Sequence, residues 1–374
     1  MNRRPTQSRS GYDSFSPQHT AHFTAAKPGT DFFEPRKKKP LIKRLFMLLL
    51  LIVLLLSLIN MFANQFVHVA RVSVPIKGLS EVFEGYTLLH ISDLKGALFG
   101  TDQRLLRFAL KDAEFDVAVL TGDMVSARGN AQPLYALVDT LRELNPDAPI
   151  YFIAGDRDPT PTSMEYATGG SPFAPWVLGV QQRGAQMLSS PQRIDREGQT
   201  IWLTTNSQLN LDIDTMQGQF ELKYLNAEDS GDENEIELAK YNLQWLEGTR
   251  TARSEMKEED IFIALTHVPP PDSELLEAAP GSLWGQVDLV LCGHYLGGLI
   301  RLPFAGSLFI PSQNLPFYGI LPGAGTYFGL ERKGRTWVYT SPGLGENDSL
   351  YPLFFFRLMN PPTVTLLSLT PSSM

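Results

Sequence analysis

The sequence predicts an α/β domain carried behind a single membrane-spanning helix, on three observations. Residues Leu45–Ala63 (LFMLLLLIVLLLSLINMFA) contain no charged side chain. After them, short apolar runs alternate with polar turns and with stretches of helical apolar spacing, as in a sheet whose strands are joined by helices. Five of those apolar runs lead into an Asp or a His beside Gly or Pro, at the strand ends where such sheets carry their functional loops.

The apolar run comes first. Nineteen residues at about 1.5 Å each cover roughly 28 Å, close to the hydrocarbon thickness of a bilayer. Arg36, Lys37, Lys38, Lys39, Lys43 and Arg44 all precede it. The positive-inside rule then places residues 1–44 in the cytoplasm and the rest outside, on a single-pass cell-membrane protein. A cleaved signal peptide is the competing reading; the long leader, the long apolar run and the lack of an A-x-A site favour an uncleaved anchor. Residues 1–35 are rich in Ser, Thr, Pro and Gln without apolar periodicity, the composition of a disordered tail. Because the Arg-Lys-Lys-Lys run abuts the apolar segment, it reads as a contact for lipid headgroups, and the lipid bilayer is the first expected partner.

Charge is unevenly spread. Residues 1–44 hold ten Lys/Arg and three Asp/Glu, a net +7, while the remaining 330 hold 22 and 37, a net −15. An acidic domain repels a phosphate backbone, so nucleic acid is excluded as the main partner. Cys292 is the one cysteine of the chain, and no intrachain disulfide can form.

Residues 64–84 read as a short stalk and 85–370 as the folded domain. Tyr86–Ile91 is strand-like and runs into Ser92-Asp93-Leu94-Lys95-Gly96. Thr101 or Asp102 is placed to cap a helix carrying Leu105, Leu106, Phe108, Ala109 and Ala113. Asp116–Leu120 is a buried-strand run ending at Thr121-Gly122-Asp123, a helix covers about 131–144, and Ile150–Ile153 leads to Gly155-Asp156-Arg157-Asp158. Residues 159–200, rich in Pro and Gly, suggest a flap. The acidic stretch Glu228–Glu237 reads as a solvated loop before a helix over 236–256. Ile261–Leu265 and Val287–Leu291 are two more buried strands, ending at Thr266-His267 and Gly293-His294. From about 300 to 369, apolar runs broken by Gly and Pro suggest a second, mainly antiparallel sheet. Tyr318, Tyr327 and Phe328 fall there as core or rim packing.

Asp93, Asp123, Asp156, His267 and His294 therefore converge at strand ends. Carboxylates mixed with imidazoles suit Mn, Fe or Zn. In this order the five motifs resemble those of the calcineurin-like metallophosphoesterases, in their membrane-anchored branch, over roughly residues 65–369. The family pattern is D-x-H, G-D, G-N-H-D/E, a His near Pro, and G-H-x-H. Here it reads Asp93-Leu94-Lys95, Gly122-Asp123, Gly155-Asp156-Arg157-Asp158, His267-Val268-Pro269 and Gly293-His294-Tyr295-Leu296. Gly297–Phe304 and Thr340–Gly345 are similar to stretches of the same branch. The resemblance implies a four-layer α/β-β/α sandwich and phosphoester chemistry at a metal centre.

It also implies damage. The two histidines that the family uses at its first metal fall on Lys95 and Leu296, leaving Asp93 and Asp123, too few for tight divalent binding. The second site maps onto Asp123, Asp156, His267 and His294, which keep two oxygens and two nitrogens. One divalent cation is therefore expected, Mn, Fe or Zn, and a dinuclear centre is not. The family's histidine near the leaving group falls on Arg157, which cannot serve as a general acid at neutral pH but can clamp a phosphoryl group. No other imidazole replaces the lost ones: His19 and His22 lie in the tail, His68 in the stalk, and His90 on the opposite face of its strand. Lys95 reads either as an ion pair filling the vacant site or as a fixed positive charge that, with Arg157, stabilises phosphate. Two functions stay open. One is a catalytically silent or weak relative that binds a phosphorylated envelope component or scaffolds membrane proteins; the other is a single-metal hydrolase of a lipid-linked or envelope phosphoester.

Overall fold

The computed structural model describes residues 41–372 except 163–171, 279–281, 303–305, 311–318, 321, 323–326 and 347–356. The expected disordered tail, Tyr318 and part of the expected flap lie outside the described residues. The chain divides into two compact units, Met1–Leu54 and Leu55–Met374.

Helix α1 runs Leu41–Ala63. Over its apolar stretch, Lys43–Ala63, it is long and apolar enough to cross a membrane and none of it is buried. In chain order there follow β1 (His68–Lys77), β2 (Thr87–Ile91), α2 (Arg104–Leu110), β3 (Val117–Thr121), α3 (Gln132–Leu144), β4 (Ile150–Ile153), α4 (Pro175–Gln181), β5 (Ala185–Met187), β6 (Gln192–Arg196), β7 (Gln199–Thr205), α5 (Asn206–Asn210), α6 (Ile213–Ser230), α7 (Glu233–Glu255), β8 (Ile261–Leu265), α8 (Asp272–Leu276), β9 (Leu289–Cys292), β10 (Ile300–Leu302), β11 (Gly306–Phe309), β12 (Gly329–Lys333), β13 (Thr336–Thr340) and β14 (Thr363–Ser372). Two six-stranded sheets result, ordered β1-β14-β2-β3-β4-β5 and β12-β13-β9-β8-β7-β6.

The sheets pack face to face. Leu88, Val117, Val119 and Leu367 of the first meet Leu203, Ile263, Leu291 and Tyr339 of the second in one central cluster. A second cluster joins the outer face of the first sheet to α2, α3 and α4, with Leu106, Leu134, Val138 and Val177 buried. A third covers the outer face of the second sheet with Leu209, Trp284 and Val287. This is the four-layer α/β-β/α sandwich. With both faces covered, the central strands read as continuous apolar runs rather than alternating ones, which is why β3, β8 and β9 are buried along their whole length.

Several expectations are corrected. The stalk is in large part a strand: His68–Lys77 pairs over ten residues with β14 at the edge of the first sheet, in parallel register from His68↔Thr363 to Lys77↔Ser372. Neither Thr101 nor Asp102 caps α2, which has no side-chain cap. The buried amide of Gln103 organises that loop instead, accepting from the Phe99 N–H (3.0 Å) and donating to the carbonyls of Ala97 (2.9 Å) and Pro133 (3.1 Å). The described part of the expected flap holds α4, β5 and β6, with β5 paired to β4 and β6 to β7. The acidic stretch is no extended loop: it spans the end of α6, a turn at Gly231, and the start of α7, where Asp232 accepts from the N–H groups of Asn234 and Glu235. Among the described residues, 300–369 form no second sheet of their own beyond the hairpin β10–β11. Instead β12 and β13 complete the second six-stranded sheet, and β14 inserts between β1 and β2 in the first.

Candidate metal centre

Five strand ends meet at one place. β2 delivers Asp93 and Lys95, β3 delivers Asp123, β4 delivers Asp156 and Arg157, β8 delivers His267, and β9 delivers His294. The backbone there is strained. Asp93 (φ 53°), Lys95 (49°), Asp123 (54°), His294 (72°) and Leu296 (52°) all sit in the left-handed region, which costs an L-residue roughly 1–2 kcal/mol. Lys95 and Leu296 thus share the backbone conformation of Asp93, Asp123 and His294 although neither side chain is a ligand. Glycine permits the close approach of the loops: a Cβ on Gly155 would lie 2.3 Å from the Asp123 nitrogen, and one on Gly293 would lie 1.9 Å from Ser92 Oγ.

The Lys95 ammonium fills one half of the centre. Its Nζ lies 2.5 Å from Asp123 Oδ2 and 3.4 Å from Asp93 Oδ1, and all three side chains are buried. Burial is the largest influence on Lys95 and opposes its charge, but the carboxylates of Asp93 and Asp123 outweigh it and hold the ammonium above its usual range. Asp93 Oδ2 accepts from Ser92 Oγ (2.8 Å) and from the His294 N–H (3.0 Å). Asp123 Oδ1 accepts from the Arg157 N–H (3.0 Å). Burial would raise the Asp123 carboxyl, yet His267 and Lys95 together hold it well below the usual carboxylate range.

His267, His294 and Asp156 form the other half. His267 Nδ1 lies 2.8 Å from the carbonyl of Thr121. A carbonyl only accepts, so Nδ1 carries a proton and Nε2 is turned to the carboxylates, the orientation that a backbone carbonyl behind the ring imposes on metal-binding histidines. Nε2 stands 2.9 Å from Asp156 Oδ1 and 3.4 Å from Asp123 Oδ2. Although buried, it is aligned for a hydrogen bond with neither. His294 Nδ1 lies 3.3 Å from the same Asp156 oxygen. Burial pulls the His267 imidazole down, but the surrounding carboxylates of Asp123, Asp156 and Asp93 raise it to about 10. Asp156, half exposed, is held far below the carboxylate range by the two imidazoles.

The donor set fits a cation in this half. Ligating atoms of Asp156, His267 and His294 lie within 4.8 Å of one another, as do those of Asp93, Asp123 and His267. Crowded donors with poor mutual hydrogen-bond geometry are what a shared ion would organise, and one carboxylate oxygen with two imidazole nitrogens, Asp123 Oδ2 standing 3.4 Å from His267 Nε2, suits Mn, Fe or Zn. The Asp93 half does not fit: a lysine occupies the space between its carboxylates, and Leu296 is a buried apolar residue.

All seven residues singled out from the sequence lie in or beside this cluster. Arg157 is exposed, with its charge close enough to oppose that of Lys95. Asp158 has a structural part, accepting from the N–H groups of Val125 (2.7 Å) and Gly155 (2.9 Å). His90 keeps to its opposite face: it is buried, bonded to Thr121 Oγ1 at 2.8 Å, and pushed down to about 3 by burial. Sequence reasoning missed Arg357 and Asn360. The fully buried Arg357 guanidinium donates to the carbonyls of Gly345 and Pro342 (2.6 Å each), Asn360 (2.8 Å) and Leu296 (3.4 Å). Asn360 donates to the carbonyls of Leu296 and Gly298 at 2.7 Å each. Gly345 in turn donates to the Asp93 carbonyl, so Arg357 braces the loops that carry Asp93 and His294. An arginine inside the apolar run Phe354–Leu358 was the available signal. Its carbonyl is itself held by Asn60 and Asn64, from the end of α1 and just beyond it (2.5 and 2.9 Å).

Residues 86–297 match the family model of the calcineurin-like phosphoesterases, and the chain belongs to that family. Phosphodiesterase YaeI of Escherichia coli (strain K12) is 35% identical over 100 residues, 27% of this chain; the match spans 29% of that relative's length. Among solved structures, phosphopantetheinyl hydrolase (PptH) of Mycobacterium tuberculosis aligns over 70% of this chain and 92% of its own at 11% identity, TM-score 0.32. TT1561 of Thermus thermophilus aligns over 69% of this chain and 90% of its own at 15% identity, TM-score 0.34.

Proposed function

We propose that this protein is a membrane-tethered, phosphoester-binding member of the family, catalytically silent or weak, with Lys95 standing where the first metal would be. Asp123, Asp156, His267 and His294 would hold one divalent cation, with Asp93 a weak further donor. The tail before residue 45 lies in the cytoplasm, the domain lies outside it, and the ligand is a phosphorylated component of the envelope. The observation that carries the reading is the Lys95 ammonium 2.5 Å from Asp123 Oδ2, in the space a first cation would need. When bound, a cation in the remaining half would polarise a phosphoryl oxygen. Lys95 and Arg157 would add positive charge at that group, Arg157 through a bidentate contact. Arg157 cannot protonate a leaving group at neutral pH, and a missing acid at that position weakens catalysis more than binding.

A second reading, an active single-metal hydrolase, is favoured by the His267 tautomer, since the Thr121 carbonyl turns Nε2 toward the carboxylates as a ligand. Elemental analysis of the full chain in detergent, with hydrolysis of an aryl phosphodiester under added Mn, Fe and Zn, separates the two. The expected result is one metal per chain and no turnover above background. Turnover lost in Asp123→Ala and His267→Ala would make the hydrolase reading the right one. No bound metal, or two per chain, would overturn the one-cation site.

A further inference from the structure

Beside the metal centre lies a cavity of about 570 Å³. Thr266 and His267 line it, as do Ile153 and Ala154, which lead directly to Asp156. Its opposite wall is α7, through Tyr241, Asn242 and Trp245. Tyr241 and Trp245 are four residues apart and share a helix face. Each ring is held by an edge-to-face neighbour, Tyr241 by Phe173 at 5.5 Å and Trp245 by Phe220 at 6.4 Å, and each remains half-buried.

The chemistry of the walls is selective. In a domain of marked acidic excess, no Asp, Glu, Lys or Arg among the described residues lines this cavity. It offers aromatic surface, the amide of Asn242 and the hydroxyl of Ser189, while Gln208, Asn206, Thr205 and Thr266 in its wall are bonded to neighbouring groups of the protein and hold that wall in place. Rigid aromatic faces combined with neutral donors and acceptors match a ring that is apolar on its faces and hydroxylated around its rim. Away from His267 a strongly charged group would find little compensation there, and an acyl chain would leave the Asn242 amide and Ser189 hydroxyl unpaired at a cost. The volume is that of a small-molecule site.

We infer that this cavity binds the alcohol portion of the phosphoester ligand, and that this portion is an uncharged, hydroxyl-rich ring of the glycosyl class. The inference rests on the phosphoester-binding reading and names the other half of its ligand. Calorimetric titration of the full chain, in detergent with Mn present, tests it with methyl phosphate, glucose 1-phosphate and uridine monophosphate. Methyl glucoside is tested separately through tryptophan fluorescence. Glucose 1-phosphate is expected to bind roughly ten-fold more tightly than methyl phosphate, the scale of one or two aromatic contacts. Trp245→Ala and, independently, Asn242→Ala should shrink that advantage while methyl phosphate binds as before. Methyl glucoside should change the fluorescence of the native chain but not of Trp245→Phe. Equal affinities for the two phosphates, a larger gain for the nucleotide, or a loss common to all ligands in both variants would overturn the inference. Failure of methyl phosphate to bind, with methyl glucoside still sensed at Trp245, would remove the phosphoester reading and leave the sugar site standing. Failure of both would remove both.

Discussion

The Lys95 ammonium neutralises two buried carboxylates that would otherwise repel each other, and on the proposed function it stands where a metal ligand would be. Removing one partner of a buried charged cluster costs about 3–5 kcal/mol because the remaining charge is uncompensated. Lys95→Ala should therefore lower the stability of the metal-free protein by about that amount, read from urea unfolding. Millimolar Mn should restore a large part of it, since the vacated space lies between Asp93 Oδ1 and Asp123 Oδ2. A variant as stable as the parent without metal would show that the pair contributes nothing. Asp93, Asp123, Asp156, His267 and His294 were legible in the sequence because each follows a buried apolar strand, so the end of the strand placed them at a sheet end. Arg357, Asn360 and the Thr121 carbonyl were not. They act through backbone carbonyls brought close by the fold, and no residue spacing records such contacts.

At the scale of elements, local patterns are legible and distant pairings are not. Ile150–Ile153 and Ile261–Leu265 are strands with the bounds their apolar runs suggest. The hairpin of α6 and α7 is only half visible in the sequence, because α6 buries only Phe220 and Ala227 and has no apolar stripe to reveal it. Strand β14 shows the same limit more sharply, since its neighbours β1 and β2 lie almost the whole chain away. It pairs over ten residues with β1 and four with β2. Val364, Leu366, Leu367 and Leu369 are buried in clusters on both faces. Burying four such side chains contributes on the order of 6–12 kcal/mol, comparable with the whole stability of a domain. A chain ending at residue 362 is therefore expected not to fold. Cys292, on β9 of the other sheet, reports this directly: burial pushes its thiol up to about 12, so the full chain should be silent to a disulfide reagent at pH 8. The shortened chain should react at the rate of an unfolded thiol. Continued protection would mean that the second sheet folds without the first.

For the whole molecule the governing feature is the opposition of charge across the apolar helix, +7 before residue 45 and −15 after it. On the proposed anchoring, the anionic cytoplasmic face of a membrane attracts the basic tail and repels the acidic domain. Both effects act in the same sense as the positive-inside rule, which counts Lys and Arg near the span. The domain carries exposed lysines well suited to reporting its side: Lys77, Lys111, Lys223, Lys240 and Lys257. A membrane-impermeant amine reagent applied to intact cells expressing the full chain should modify these, while Lys27, Lys37, Lys38 and Lys39 are modified only after permeabilisation. Changing Arg36, Lys37, Lys38 and Lys39 together to Ala removes four of the six positive charges just before the apolar helix and should give a mixed population, with part of the domain protected. Labelling confined to the tail lysines of intact cells would invert the topology. It would also move the metal centre to the cytoplasmic side, where an envelope phosphoester could not reach it.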